Sequence, residues 1–186
     1  MSETMKQIVL ASRPNGAPTP ANFRLEEAPL PIPAEGEVLV SVEYMSLDPY
    51  MRGRMDDAKS YAANIPVDSK MEGGSVGKII ASNADGFEIG DFVIGSFGWA
   101  THSVATAVGL AKIDPHAAPI TYSLGVLGMP GFTGWYGLSE LGKPKSGETL
   151  VVAAATGPVG SMVGQLAKSR GLHTVGIAGG PTKCKM

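Results

Sequence analysis

The chain has one cysteine, Cys184, among 186 residues. A lone thiol closes no internal disulfide and cannot supply a multi-cysteine zinc site, so neither kind of staple is available to the fold. Charge is also scarce. Charged residues are 17% of the chain, and 15 Lys and Arg against 17 Asp and Glu leave a net charge of -2. That balance offers no basic surface with which to lead on nucleic acid or an acidic membrane, and a small uncharged or anionic ligand is the better match. Long apolar runs are missing too, since no window approaches the ~18 residues of a membrane span. The opening "MSETMKQIVLASRP" carries an early acidic residue and too short an apolar run for a signal peptide, so a cytoplasmic location is expected. The last shortage is local: no Asp or Glu follows Glu148.

What is present is a core-forming composition, 44% hydrophobic, with 25 Gly and 14 Pro concentrated at the joints between short runs. Up to about residue 115 those runs are β-like: "KQIVLAS", "FRLEEA", "EVLVSVEYMSL", "SVGKIIASN", "DFVIGSF", "THSVATAV" and "LAKI". Their spacing predicts a compact barrel or a partly open sheet. The Pro-rich "APLPIPAEG" reads as an extended connection.

Beyond "KIDPHAAPI" the texture changes. "YSLGVLGMPGFTGWYGLSELG" places apolar residues at helical spacing, and "KPKSGETLVVAAA" then supplies a turn and a fully apolar strand. A helix over "PVGSMVGQLAKSRG" and a strand over "HTVGIAGG" complete a β-α-β pattern. A domain boundary is therefore expected near residue 118, giving domains over 1–118 and 119–186.

The turn between that strand and helix reads Ala155, Thr156, Gly157, Pro158, Val159, Gly160, a G-x-G-x-x-G frame with Ala in its first slot. In such a frame Gly157 lets backbone approach a pyrophosphate, Gly160 lets helix and strand pack closely, and a helix starting near Pro158 aims free N–H groups at the phosphates. A merely tight strand-helix turn is the alternative, and the flanking strand, helix and strand favour the cofactor loop. An acidic residue ~20 positions on would select NAD by binding its ribose. Here "AGGPTKCKM" offers Lys183 and Lys185 instead, which suit the 2′-phosphate of NADPH or else form a solvated surface.

Four stretches are similar to the medium-chain dehydrogenase/reductase superfamily, and within it to the zinc-independent 2-alkenal, prostaglandin/leukotriene and curcumin reductases. They are "SLDPYMRGRM" (46–55), "SLGVLGMPGFTGWYGL" (123–138), "GETLVVAAATGPVGSMVGQLAK" (147–168) and "VGIAGGPTKC" (175–184), and the likeness covers nearly the whole chain. The resemblance implies a GroES-like, β-rich catalytic and substrate domain followed by the first β-α-β of a Rossmann domain that binds NADPH. It also implies a homodimeric parent.

Zinc-bearing relatives carry Gly-His-Glu before a Gly-rich strand. The comparable stretch here is "KMEGGSVG", with Met71 where the His would stand, so no metal site is expected. Without a Lewis acid, hydrogen bonds must polarise the substrate carbonyl. By resemblance, hydride then goes to the β-carbon of an enone or enal. Tyr50 of "DPYMR" is the candidate catalytic donor, and Tyr50 and Tyr61 of "KSYAA" are the candidate substrate-binding phenols. Each also suits an ordinary tyrosine at a domain edge. Met129 and Thr133 of "GMPGFTG" are cofactor contacts by resemblance, although the segment would also make a structural elbow. With Gly157, Pro158, Val159, Gly160 and Lys183 they form the expected cofactor set.

Family members continue past the second Rossmann strand, so the chain reads as a truncated form with its apolar strand faces uncovered and negligible activity on its own. A non-catalytic GroES-like binding or interaction module, or a quinone reductase, are the competing readings.

Overall fold

The computed structural model describes residues 4–186 and divides the chain into two compact units, the first ending at Ile120 and the second beginning at Thr121. Each is described separately.

The first unit is built from short antiparallel strands. β1 (Thr4–Leu10) and β2 (Phe23–Pro29) pair along their full lengths, Thr4 opposite Pro29 and Leu10 opposite Phe23. β3 (Glu37–Met45), β4 (Ser75–Ser82), β5 (Phe92–Gly95), β6 (His102–Thr106) and β7 (Ala111–Ile113) form a second sheet in the order β6-β3-β4-β5-β7. The sheet is open, with β6 and β7 as its edges, so the partly open arrangement is the one realised. A helix, α1 (Tyr50–Arg54), interrupts the strands after β3.

Hydrophobic alternation explains the inner face of the larger sheet. Val38 and Val40 of β3, Ile79 of β4 and Val93 of β5 are fully buried with Phe97 in one core. The β3–β4 ladder carries two register shifts, between Leu39 and Val40 and between Val42 and Tyr44, and Gly77 lies beside the second. A side chain at Gly77 would run into the Ser41 carbonyl, so the bulged strands approach here as only glycine allows.

A second core lies under α1. Leu10, Met55, Ile65 and Met71 are buried together, with Ile8, Phe23 and Trp99 packed around them. Flanking loops clamp β1 to this core: the N–H of Ile8 donates to the Trp99 carbonyl at 2.8 Å, that of Met71 to the Ile8 carbonyl at 2.9 Å, and that of Leu10 to the Ser69 carbonyl at 3.0 Å.

In the second unit, β8 (Thr149–Ala153) and β9 (His173–Ile177) run parallel, linked by α3 (Pro158–Ser169), which is the β-α-β unit read from the sequence. Leu138, Ala167 and Leu172 are buried with Leu150, Val163 and Leu166 around them. The two strand faces fare differently. Leu150 and Val152 pack inward, whereas Val151 and Ile177 are 58% and 57% exposed, so one apolar face is covered and the other is open. That corrects the expectation that both would be bare, because α3 folds back onto one of them.

The helical spacing of residues 122–142 is also realised in pieces. A 3₁₀ turn (Ile120–Leu124) precedes α2 (Met129–Tyr136), which runs on into a π-helical turn (Gly137–Gly142). The break falls where Gly128 takes an extended conformation and Pro130 sits in the first turn of the next helix. A last helix, α4 (Gly180–Cys184), follows β9 and has no counterpart in the sequence reading.

Candidate functional site

In the first unit the chemistry gathers on α1. Met51 and Met55 are both 3% exposed, and this i, i+4 pair anchors the helix in the core. Tyr50 and Arg54, one position behind at the same spacing, form the neighbouring stripe. The Arg54 guanidinium stands 5.9 Å from the Tyr50 ring centroid. Tyr50 is half-buried. Burial, then the nearby Asp48 and Glu72 carboxylates, push its phenol above the ordinary tyrosine value, while Arg54 and a backbone hydrogen bond at Gly74 act the other way. The net effect keeps the hydroxyl protonated at neutral pH, as a hydrogen-bond donor must be.

Tyr61 sits differently. It is 87% exposed, in a loop over 57–64 that curls around an open hollow of about 380 Å³. Asn64 closes the base of the loop through its Nδ2, which donates to Asp57 at 2.8 Å. Arg54 closes it from the helix side, donating through Nη1 to the Ala63 carbonyl at 2.7 Å. The two tyrosines therefore share one neighbourhood, although their rings make no contact with each other among the described residues. Met71 is wholly buried in the core under α1. Among the described residues, no three His, Cys, Asp or Glu side chains are grouped as metal ligands.

In the second unit, β8 turns into α3 through Ala154, whose φ of +50 is the left-handed conformation that side chains resist. The sequence frame put its first slot at Ala155. That residue follows the left-handed one, and its N–H donates to the Ile177 carbonyl at 3.1 Å, just beyond the last ladder pair of Ala153 with Ile177.

Gly157 then caps α3. Its backbone is extended, no side chain caps the helix, and Pro158 is the first helical residue. Hydrogen bonding within the helix leaves the N–H groups of Val159 and Gly160 unused, and the dipole adds partial positive charge there. A Cβ on Gly157 would meet only the Ala154 carbonyl, at 3.2 Å, leaving its outer side open. Gly160 is different, since a Cβ there would stand 2.4 Å from the same oxygen. Gly157 leaves access and Gly160 permits helix–strand contact.

Met129 and Thr133 lie one turn apart on α2. The Thr133 hydroxyl donates to the Met129 carbonyl at 2.7 Å and lies 3.6 Å from its sulfur, so the two side chains form a unit. Next to Thr133, Gly134 lets α2 approach α3: a Cβ there would lie 3.2 Å from the Val159 carbonyl oxygen. This joins the Met129–Thr133 turn to the Gly157–Gly160 loop within one unit. Lys183 is exposed on α4, six residues after the end of β9.

Sequence reasoning missed Arg54 and Glu72, which are paired at 3.2 Å. The signal was the i, i+4 spacing of Tyr50 and Arg54 inside "DPYMRGR".

The family described as the N-terminal domain of oxidoreductase matches residues 6–113. The chain belongs to this family. It is the zinc-independent reductase branch of the medium-chain dehydrogenase/reductases to which the four sequence stretches pointed. The NADPH-dependent curcumin reductase of Escherichia coli is 52% identical over 180 residues, covering 97% of this chain and 52% of that protein. The NADP⁺-dependent 2-alkenal reductase of Nicotiana tabacum is 38% identical over 183 residues, covering 96% of this chain and 53% of that one. Among solved structures, CurA of Vibrio vulnificus in complex with NADPH is 51% identical with a TM-score of 0.92, covering 97% of this chain and 53% of CurA. The chain thus spans about half the length of the curated relatives it matches.

Proposed function

We propose that this chain is the part of an NADPH-dependent reductase that carries its substrate phenols and its pyrophosphate loop, and that the whole protein reduces the C=C bond of α,β-unsaturated carbonyl compounds without zinc. Residues 1–118 are the GroES-like catalytic and substrate domain in this reading, and residues 119–186 open the Rossmann domain. The observation that carries it is the 52% identity to an NADPH-dependent curcumin reductase over 97% of the chain. A 2-alkenal reductase that is 38% identical over 96% of the chain supports the substrate class.

The residues present fit the cofactor. An uncapped helix N-terminus beside an unobstructed Gly157 suits a diphosphate, and the stretch from Thr149 to Met186 holds no Asp or Glu to bind a ribose hydroxyl but does hold the exposed Lys183, which suits a 2′-phosphate. Gly157, Pro158, Val159 and Gly160 would hold the pyrophosphate, with Met129 and Thr133 contacting the cofactor further along. NADPH, when bound, supplies a hydride. The chain's own contribution is to hold and polarise the substrate. A protonated Tyr50 donates to the carbonyl oxygen and stabilises the negative charge that develops there as the β-carbon is reduced, and Tyr61 adds a second phenol. No fixed cation is needed for that step, and a buried methionine occupies position 71.

A cytoplasmic, homodimeric enzyme acting on a small enone or enal, with neither nucleic acid nor membrane as partner, completes the proposal. No helix among the described residues is long and apolar enough to cross a membrane. The test is NADPH oxidation by the whole protein that carries this chain, with 4-phenyl-3-buten-2-one compared against its saturated ketone. Consumption with the enone alone is expected. Turnover of the saturated ketone at a comparable rate would replace this reading with carbonyl reduction.

A further inference from the structure

We propose that Arg54 is a positioning residue for the two candidate substrate phenols, holding the Tyr61 loop onto the helix that carries Tyr50. The inference deepens the reductase reading and rests on it for the roles of Tyr50 and Tyr61.

Four contacts converge on this arginine. Its guanidinium lies 5.9 Å from the Tyr50 ring centroid. Its Nη1 donates to the Ala63 carbonyl, two residues beyond Tyr61, at 2.7 Å. The same nitrogen pairs with Glu72 at 3.2 Å, which fixes the guanidinium plane from a third segment. Its own carbonyl accepts the N–H of Ile65 at 2.8 Å, and Ile65 is buried in the core under α1. One side chain and its backbone therefore grip the outgoing end of the 57–64 loop, while the ring of Tyr50 rests against the same cation. Asn64 and Asp57 tie the loop's ends together, but neither reaches α1 through that bond.

Stability alone does not explain an arginine here. Its Nε is buried with no hydrogen-bond partner among the described residues. A buried unpartnered donor is a cost, and an apolar chain of similar length would avoid it. The arginine tolerates that cost while its Nη1 bonds both the Ala63 carbonyl and the Glu72 carboxylate and its planar guanidinium lies by the Tyr50 ring, a combination of rigid plane and delocalised charge that a lysine ammonium does not reproduce. Tyr61 at the tip is highly exposed and has no packing of its own to fix it. Its direction is then set at the base of the loop.

The test uses the whole protein that carries this chain, with Arg54→Met and Arg54→Lys, measuring amide exchange segment by segment and the Tyr50 phenol titration by NMR of ring-labelled tyrosine. Tyr50→Phe assigns the resonance. In Arg54→Met, exchange over residues 57–64 should rise roughly tenfold or more, as expected for loss of a charge-assisted bond. Protection of β3 and β4 should be unchanged. The Tyr50 phenol should titrate higher, since a cation that favoured its ionised form is gone. Arg54→Lys should restore the phenol titration while leaving the loop loosened, a split that a general fold role would not produce. Should Arg54→Met fail to fold, Arg54→Lys carries the test on the same loop. Wild-type exchange over 57–64 in the folded variants overturns the inference, as does a uniform loss of protection throughout the first unit. None of these measurements needs cofactor or substrate, so a failure of enone reduction would count against the reductase reading alone.

Discussion

Gly160 and Ala154 approach so closely that a Cβ on Gly160 would stand 2.4 Å from the Ala154 carbonyl oxygen. Two glycines three residues apart in one loop thus do different work. Gly160→Ala must push helix from strand and should destabilise the second unit by about 1–3 kcal/mol in urea titration. Gly157→Ala has an ordinary backbone conformation and should change stability by no more than about 0.5 kcal/mol, while weakening NADPH binding measured calorimetrically. The reverse pattern would mean that the loop is misassigned.

Lys183→Glu should weaken NADPH much more than NADH. A charge-assisted contact to phosphate contributes roughly 1.5–3 kcal/mol, and replacing it with a like charge adds repulsion. Equal losses for both cofactors would remove the 2′-phosphate assignment.

Met71 is fully buried against Leu10, Met55 and Ile65. Met71→Ala should cost about 2–5 kcal/mol through the cavity it leaves. Met71→His should also destabilise, because an imidazole there would be buried without an evident partner. Elemental analysis of the unsubstituted protein should find no stoichiometric zinc, and one tightly held zinc per chain would overturn the metal-free mechanism.

Tyr50 provides a pH signature. Its folded-state titration lies above the ordinary value of 10.0, so the protonated donor persists through neutral and mildly alkaline pH and is lost only as pH rises past that raised value. The same sign holds for stability: protonation favours the fold below the unfolded value, and that contribution fades as pH passes upward through the folded one. The alkaline limb of enone reduction should therefore fall above pH 10, or move when Tyr50→Phe is made. Tyr50→Phe should lower kcat/KM by roughly 10²–10³ if the hydroxyl stabilises the developing negative charge. A limb centred near neutrality, unchanged in Tyr50→Phe, would assign the proton chemistry elsewhere.

Much of this architecture is local and so was legible in the chain itself. Alternation in "EVLVSVEYM" marks β3 because residues two apart share a strand face, and "TGPVG" marks the β8–α3 turn because glycine, proline and a following apolar helix leave few other conformations. Composition alone ruled out a disulfide within this chain, and the residue types in four short stretches carried the family. Tertiary structure decided what depends on contacts between distant segments. The left-handed residue falls at Ala154, directly after β8, where the next N–H, that of Ala155, reaches across to the Ile177 carbonyl of β9. The predicted long helix after residue 120 divides at Gly128, whose conformation depends on how close its backbone comes to Ser123. Arg54 acquires its place only when the chain brings Ala63 and Glu72, nine and eighteen residues further on, to its guanidinium. Spacing reports which residues share a face of their own element; it carries no record of the partners that a loop will bring to that face.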